Sequence, residues 1–382
     1  MPLTSKLPDV GVTIFTRMSQ LAASCKAVNL SQGFPDFPCD PALLQGVTEA
    51  MQAGHNQYAP MTGLPALREA IASKLQQSLN VHVDAEREIT VTAGATQALF
   101  SVIASVLHAG DEALILEPAY DSYAPAILAQ GAGVIRVALR APAFAVDWDE
   151  VERAVTPRTR LIIVNNPNNP ATSVFGPADL DALAQLAERH DLLVLADEVY
   201  EHLVFDGRQH HSVLAHPVLR ARSFAVYSFG KTFHATGWKV GYCVAPPALS
   251  AELRKLHQYL VFSVSTPMQH ALAAYLQQPA HWQGLPDFYQ ARRERLAPGL
   301  TQAGFQLLPN AGTYFQLADY SAIRPDLGEL DFAEWLTRSY GVASIPVSAF
   351  YADGRDQHLV RFCFAKQDST LDEAIKRLAE LR

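Results

Sequence analysis

Between positions 88 and 245 the chain alternates short apolar runs with longer amphipathic ones. The short runs are EITVTA (88–93), ALILEP (113–118), GVIRVAL (133–139), RLIIVNN (160–166), LLVLADE (192–198), SFAVYSF (223–229) and VGYCVA (240–245). Most are rich in Val, Ile and Leu, as strands read when both their faces are covered. The stretches between them include GATQALFSVIASVLHAG and GPADLDALAQLAERH. The first has apolar residues at helical spacing and stops at Gly110 after His108, which suits a helix C-terminus. The second begins after Gly176-Pro177, and proline fits a first helical turn. This alternation predicts an α/β fold whose mostly parallel sheet, of seven strands, lies between helices joined by right-handed crossovers.

The last hundred residues follow another pattern. LPDFYQARRERLAPGLTQAG (285–304) predicts a helix closed by Gly304. Short strands FQLLP, TYFQLAD, VASIP and LVRFCFA follow, with helices expected at 331–340 and 369–381. That is an α+β arrangement, and hence a second, smaller domain, with the boundary in the helical region near 275–300.

Composition narrows the classes. Of 382 residues, 49% are hydrophobic and 18% charged, enough apolar side chain for a large core and too much for disorder. The net charge of −8 argues against a nucleic-acid partner. The four cysteines, Cys25, Cys39, Cys243 and Cys363, lie far apart. They form no zinc or disulfide pattern and fit a reducing compartment. No apolar run reaches the ~18 residues of a membrane span, and MPLTSKLPDVGVTIF lacks the apolar stretch of a signal peptide. A cytoplasmic location is expected, with no membrane partner.

In an open α/β sheet ligands bind beyond the carboxyl ends of the strands. There the sequence places Asn169 in NNPNNP, Asp197 and Tyr200 in DEVY, Ser228 and Lys231 in SFGKT, and a helix start at Gly94-Ala95-Thr96-Gln97. Together these meet the needs of pyridoxal 5′-phosphate (PLP). Its aldehyde needs a lysine amine, offered by Lys231. Its pyridine nitrogen needs a carboxylate to stay protonated, offered by Asp197. Its phenolic oxygen needs donors, offered by Tyr200 and Asn169. Its phosphate needs free N–H groups at a helix start, with Ser228 and Lys239 beside Lys231. Its ring needs an aromatic face, offered by Tyr120 in EPAYDSY.

The constellation resembles the fold-type-I aminotransferases of the aspartate aminotransferase superfamily. SFGKTFHATGWKVGY (228–242) is similar to their cofactor-lysine motif, VNNPNNPAT to the N-x-P-x-N-P-x-G segment, and ADEVY to D-E-x-Y. NLSQGFPDF (29–37), NQYAPMTGLPALREAIA (56–72), ASIPVSAFY (343–351) and RFCFAK (361–366) extend the likeness over nearly the whole chain. Within the superfamily they resemble the kynurenine-aminotransferase-like subgroup, and in it the bacterial methionine aminotransferases.

The resemblance implies a PLP transferase with an N-terminal arm and part of the small domain in 1–45, a large cofactor domain in 46–285 and a small domain in 286–382. It implies a homodimer acting on an L-amino acid and a 2-oxo acid. Lys231 would carry the cofactor and shuttle a proton. Asp197 would pair with the pyridinium, and Tyr200 and Asn169 would bond the phenolic oxygen. Ala95, Thr96, Ser228 and Lys239 would hold the phosphate, with Tyr58 reaching over from the neighbouring subunit. Tyr120 would stack on the ring. Arg361, Asn169 and Gly33 would take the substrate carboxylate. Phe15 and the neighbour's Phe262 would line the side-chain pocket, favouring methionine and then aromatic donors.

There are departures. Thr172 stands where a turn glycine is expected, Lys239 where relatives carry arginine, and Phe15 where kynurenine-using relatives carry tryptophan. Other readings were weighed. A nucleotide P-loop at Gly230-Lys231-Thr232 lacks its first glycine, since position 225 is alanine. His202, His210 and His211 match no metal motif and read as an exposed loop, and Glu198 reads as structural. A cysteine-conjugate β-lyase would use the same lysine. A PLP-sensing regulator needs a DNA-binding domain, and the family likeness, starting by Asn29, leaves no stretch for one.

Overall fold

The computed structural model describes residues 4–381; Met1–Leu3 and Arg382 lie outside that range. A two-residue strand, β1 (Val28–Asn29), comes first. Each of the seven apolar runs then forms a strand of one sheet. These are β2 (Ile89–Thr92), β3 (Glu112–Glu117), β4 (Gly133–Ala138), β5 (Thr159–Asn165), β6 (Leu193–Asp197), β7 (Ser223–Ser228) and β8 (Gly241–Val244). Their spatial order is β2-β8-β7-β6-β5-β3-β4, with β8 antiparallel to both neighbours and the other pairs parallel.

Both faces of this sheet are covered. Leu114, Leu116, Ile162, Val164 and Val194 face one apolar cluster, while Ala113, Ile115, Leu161, Ile163 and Leu195 face another. That is why the runs lack polar alternation. Because β5, β6 and β7 are parallel, their carboxyl ends meet at one edge, where Asn165, Asp197 and Ser228 stand in adjacent strands.

The C-terminal part adds β9 (Gln306–Leu307), β10 (Phe315–Asp319), β11 (Val342–Ala343), β12 (Ile345–Pro346) and β13 (Leu359–Cys363). Four of these make an antiparallel sheet in the order β12-β13-β10-β9. The fifth, β11, pairs in parallel with β1 through Val28↔Val342, which brings the N-terminal segment back to this part of the chain. The helices expected here occupy Leu285–Gln302, Glu329–Tyr340 and Asp368–Leu378.

Thr172 takes the turn expected of a glycine, at φ +59°. It is held there on every side. Its N–H donates to Asn168 O (2.9 Å), its hydroxyl donates to Pro309 O (3.0 Å), and its carbonyl accepts from the N–H groups of Ala311 and Gly312. The loop after β5 is thereby tied to the segment leading into β10.

The histidine expectation needs correction. His210 is not on an exposed loop: its side chain is 6% exposed, with Nε2 3.1 Å from Glu198 Oε2. Glu198 also accepts from Tyr227 Oη (2.7 Å) and Val213 N–H (2.9 Å), so it organises a buried polar cluster behind the sheet edge. His202 is likewise buried, and burial lowers its pKa well below the usual value. Beside it Lys74 donates to Glu201 Oε2, both side chains being almost fully buried. Burial pulls the Lys74 ammonium down, and Glu201 works against that.

Removing one partner of such a pair leaves a buried charge without compensation, which costs about 3–5 kcal/mol. Glu201→Gln keeps the shape of the side chain and is expected to lower unfolding stability by that order in denaturant titration. A loss below about 1 kcal/mol, the scale of an ordinary substitution, would show that Lys74 does not depend on this carboxylate.

Candidate active site

A cavity of about 290 Å³ opens at the carboxyl ends of β2, β5, β6 and β7. Lys231 enters it from the short helix Phe229–Thr232, directly after β7. Gly230 makes that tight passage possible: a Cβ there would sit 2.8 Å from Thr236 Cα. Lys231 Nζ donates to Tyr314 Oη (2.9 Å) and to Gly33 O (3.1 Å). Burial lowers its pKa to about 8.

Asp197, the last residue of β6, is buried in the cavity wall. Its Oδ2 accepts from Tyr123 Oη at 2.6 Å and its Oδ1 from Val199 N–H at 3.4 Å. Burial lifts its pKa to about 6, against the pull of the Tyr123 hydrogen bond. A carboxylate in this position is under-compensated and suits a cationic ring nitrogen.

Across the cavity Arg361 projects from β13 and is 1% exposed. Its guanidinium stacks 3.8 Å over the Phe315 ring, donates to Asn169 Oδ1 (2.6 Å) and to Ser31 O (3.2 Å), and keeps Nε buried without a hydrogen-bond partner. Burial lowers its pKa to about 10. A buried guanidinium with an unused N–H is a receptor for a carboxylate fork.

The third charged corner favours an anion. Gly94, at φ +78° and ψ 169°, turns the chain into the helix Ala95–Val106 with no side-chain cap, so its first N–H groups face the cavity edge. Lys239 lies over this turn, with Cε 3.3 Å and Nζ 3.4 Å from the position a Gly94 Cβ would take. The lysine keeps the charge of the arginine expected here. Ser228 and Thr96 line the same corner.

Ala95, Thr96, Tyr120, Asn169, Asp197, Tyr200, Ser228, Lys231, Lys239, Arg361, Gly33 and Phe15 all line this one cavity. Tyr58 and Phe262 do not. They are 80% and 50% exposed and pack edge-to-face on each other at 5.0 Å, on the outer surface of the chain. Sequence reasoning missed Tyr123, Asn165 and Tyr314. Tyr123 follows Tyr120 by three residues in EPAYDSY, at the same strand end, which was signal enough to find it. Asn165 joins Asp197 O (2.8 Å) to Asn169 N–H (2.7 Å). Tyr314 sits in a stretch that reads only as strand core.

The family model for aminotransferase class I and II matches residues 26–378. The chain belongs to that family. This aminotransferase is 52% identical over 378 residues to a methionine aminotransferase of Escherichia coli, covering 99% of this chain and 98% of that one. It is 36% identical to the mouse kynurenine–oxoglutarate transaminase 1, over 95% and 93% of the two chains. A crystal structure of an Escherichia coli protein with methionine aminotransferase function matches it with TM-score 0.97 at 51% identity, covering both chains fully.

Two outcomes follow from the geometry. A Cβ at Gly241 would lie 2.6 Å from Tyr227 O and 3.0 Å from Ala95 N, both backbone atoms. Gly241→Ala is therefore expected to displace the start of the helix and weaken affinity for PLP, measured by equilibrium dialysis of the cofactor-free protein. Unchanged affinity would exclude that helix start from the binding site. Lys231 must be neutral to react with an aldehyde, and its pKa is lowered to about 8. The rate at which the cofactor-free aminotransferase develops near-visible absorbance on adding PLP should rise about tenfold per pH unit below that value and level off above it. An inflection near that of a free lysine would contradict the buried setting.

Proposed function

We propose that this aminotransferase binds PLP at Lys231 and moves the amino group of L-methionine, or less readily of an aromatic amino acid, to a 2-oxo acid. One observation carries the reading: an amine, a carboxylate and a guanidinium, all stripped of water, converge on one cavity beside an anion-binding corner. The identity to a methionine aminotransferase across 99% of the chain supports the choice of donor.

When bound, PLP supplies a carbonyl that links to the substrate amino group and a ring that delocalises the electron pair left when Cα loses its proton. The chain's own residues do the rest. Asp197 holds the ring nitrogen protonated, and Tyr123 keeps Asp197 oriented. Tyr200 and Asn169 bond the phenolic oxygen, and Tyr120 covers the ring. Ala95, Thr96, Ser228 and Lys239 receive the phosphate. Arg361, Asn169 and the backbone of Gly33 fix the substrate carboxylate, so that the Cα–H bond has one orientation. Lys231 Nζ would take the proton from Cα and deliver it to the cofactor's former aldehyde carbon, on the other side of the substrate nitrogen.

Phe15 lines the cavity and lies 5.8 Å edge-on from Phe350, giving the side-chain end an apolar wall. The cations among the lining residues are Lys231, Lys239 and Arg361, each given to another part of the ligand. An acidic side chain finds no partner there, and a thioether does.

The working form in this reading is a homodimer, in which the partner subunit's Tyr58 reaches the phosphate and the partner subunit's Phe262 closes the pocket. Their exposure in one chain, with Tyr259 88% exposed close to Phe262 in sequence, supports a surface that a second copy covers. The chain divides into a large cofactor domain, 46–285, and a small domain, 286–382, to which the arm 1–45 contributes β1. Among the described residues no helix is long and apolar enough to cross a membrane, and a cytoplasmic location fits the unpaired cysteines.

Absorbance tests the proposal. The purified protein with PLP should show a near-visible band that L-methionine alone, without any oxo acid, bleaches in one turnover. A band bleached by phenylalanine and untouched by methionine would overturn the donor. Absence of a band after adding PLP would overturn the cofactor. Lys231→Ala should lose turnover altogether, and wild-type rates in that variant would remove Lys231 from its role.

A further inference from the structure

Tyr314 lies behind the cavity wall and not in it, yet its hydroxyl touches the reactive amine. It is fully buried, one residue before β10. Its Oη accepts from Lys231 Nζ at 2.9 Å and donates to Gly33 O at 2.5 Å, while Lys231 Nζ donates to the same carbonyl at 3.1 Å. Burial raises the phenol's pKa well above normal, so it stays protonated and its donor role is fixed. The Tyr200 ring packs edge-on at 5.1 Å and holds the phenol in place.

We propose that Tyr314 is a positioning residue that aims the free amine of Lys231 during proton transfer. Valence sets the direction in which the amine reacts. A neutral primary amine has two N–H bonds and one lone pair. With one N–H on Tyr314 Oη and the other on Gly33 O, the lone pair takes the remaining tetrahedral direction. Lys231 lines the cavity and Tyr314 does not, so that direction is the cavity side. When the amine takes a proton from Cα, the new N–H occupies the same direction, and the electron pair of the broken C–H bond stays with the substrate. From that cavity-facing direction the proton is then delivered to the cofactor carbon that had carried the aldehyde oxygen. Neither bond to the cradle breaks in the process. The Tyr314–Gly33 bond keeps the two acceptors at a fixed spacing and gives Gly33 a second donor, so the cradle persists when the amine is otherwise engaged.

This inference rests on Lys231 being the catalytic amine, and the two fail differently. If Lys231→Ala retains turnover, the assignment of Lys231 falls. If Lys231→Ala is inactive and Tyr314→Phe behaves as wild type, only the cradle falls.

The test is Tyr314→Phe holoenzyme with L-methionine and its Cα-deuterated form. The near-visible band should persist, because the link to the cofactor does not use the phenol. Turnover should fall about 10- to 100-fold, the scale set by misplacing a reacting group, with KM little changed. The deuterium isotope effect on kcat should increase, because proton transfer becomes the slow step. Unchanged kcat, or a lower kcat with an unchanged isotope effect, overturns the proposal.

Tyr289→Phe is the control. It removes a neighbouring buried hydroxyl, bonded to His234 Nδ1 at 3.0 Å, whose ring lies 5.8 Å from Tyr314. An equal rise in isotope effect there would assign the result to general loosening and overturn the cradle. Should Tyr314→Phe fail to fold or to hold cofactor, 3-fluorotyrosine at position 314 keeps the shape and weakens the acceptor. A smaller shift of kcat and isotope effect in the same directions supports the cradle, and wild-type values overturn it.

Discussion

Three ionisable groups are stripped of water around one cavity, and the surrounding architecture serves to hold them there. Burial lifts Asp197 to about 6, lowers Lys231 to about 8 and lowers Arg361 to about 10. Each shift disfavours the charged form, and each is relieved by a ligand group of opposite charge or by reaction of the neutral amine. For the cofactor-free protein the signs are definite. The raised Asp197 pKa costs stability as pH rises through about 6, because the unfolded chain ionises this carboxyl without penalty. The lowered Lys231 pKa costs stability as pH falls from the free-lysine value toward about 8. The site is thus least comfortable near neutral pH without its ligands, and binding removes much of that cost.

The N-terminal segment is the means by which the C-terminal sheet reaches the cavity. Four successive carbonyls between Ser31 and Phe34 are held by cations: Ser31 O by Arg361, Gln32 O and Phe34 O by Lys366, and Gly33 O by Lys231. Asp36 then anchors the segment, accepting from Gln367 N–H and the Thr370 hydroxyl. The backbone of 31–34 is therefore held by the same arginine and lysine that line the cavity, so a displacement of the loop bears on both. Pairing of β1 with β11 makes this arrangement possible, because it brings the segment beside the sheet that carries Arg361.

Much of this was legible in the sequence, for a physical reason. Six of the seven strands of the large sheet are largely buried and read as short apolar runs bounded by turn residues, and the edge strand β4 is part-exposed. The chemistry follows the strand ends, so Asp197, Lys231 and Asn169 could be placed by counting. What stayed hidden depends on contacts across long sequence separations. Tyr314 touches Lys231 over 83 positions and Gly33 over 281, and its stretch carries only a strand signal. The buried His210 was misread because polar residues near it look like a loop, whereas Glu198 draws it inward over 12 positions. Tyr58 and Phe262 could be named only by resemblance, since in one chain they lie outside the cavity.

Left-handed backbone recurs close to residues that line the cavity. Thr172, His234, Lys239 and Thr313 all take left-handed φ values, between +53° and +69°. Such conformations cost of order 1–3 kcal/mol each in residues other than glycine. Eleven non-glycine residues take such φ values among the described residues, and these four lie close in sequence to residues that line the cavity. Thr172 follows Asn169 by three residues, His234 follows Lys231 by three, and Thr313 immediately precedes Tyr314. Lys239 itself lines the cavity. Bonds to distant chain hold several of them: Thr172 to Pro309 O, Thr313 N–H to Leu203 O, and His234 to Tyr289. A glycine would remove the strain at any of these places, and at Thr172 and His234 it would also remove a side-chain tether. At Thr172 the choice is plain, because its hydroxyl and carbonyl together fix the Asn169 loop to the segment that presents Tyr314. The strained turn therefore couples the loop that carries Asn169 to the segment that carries Tyr314.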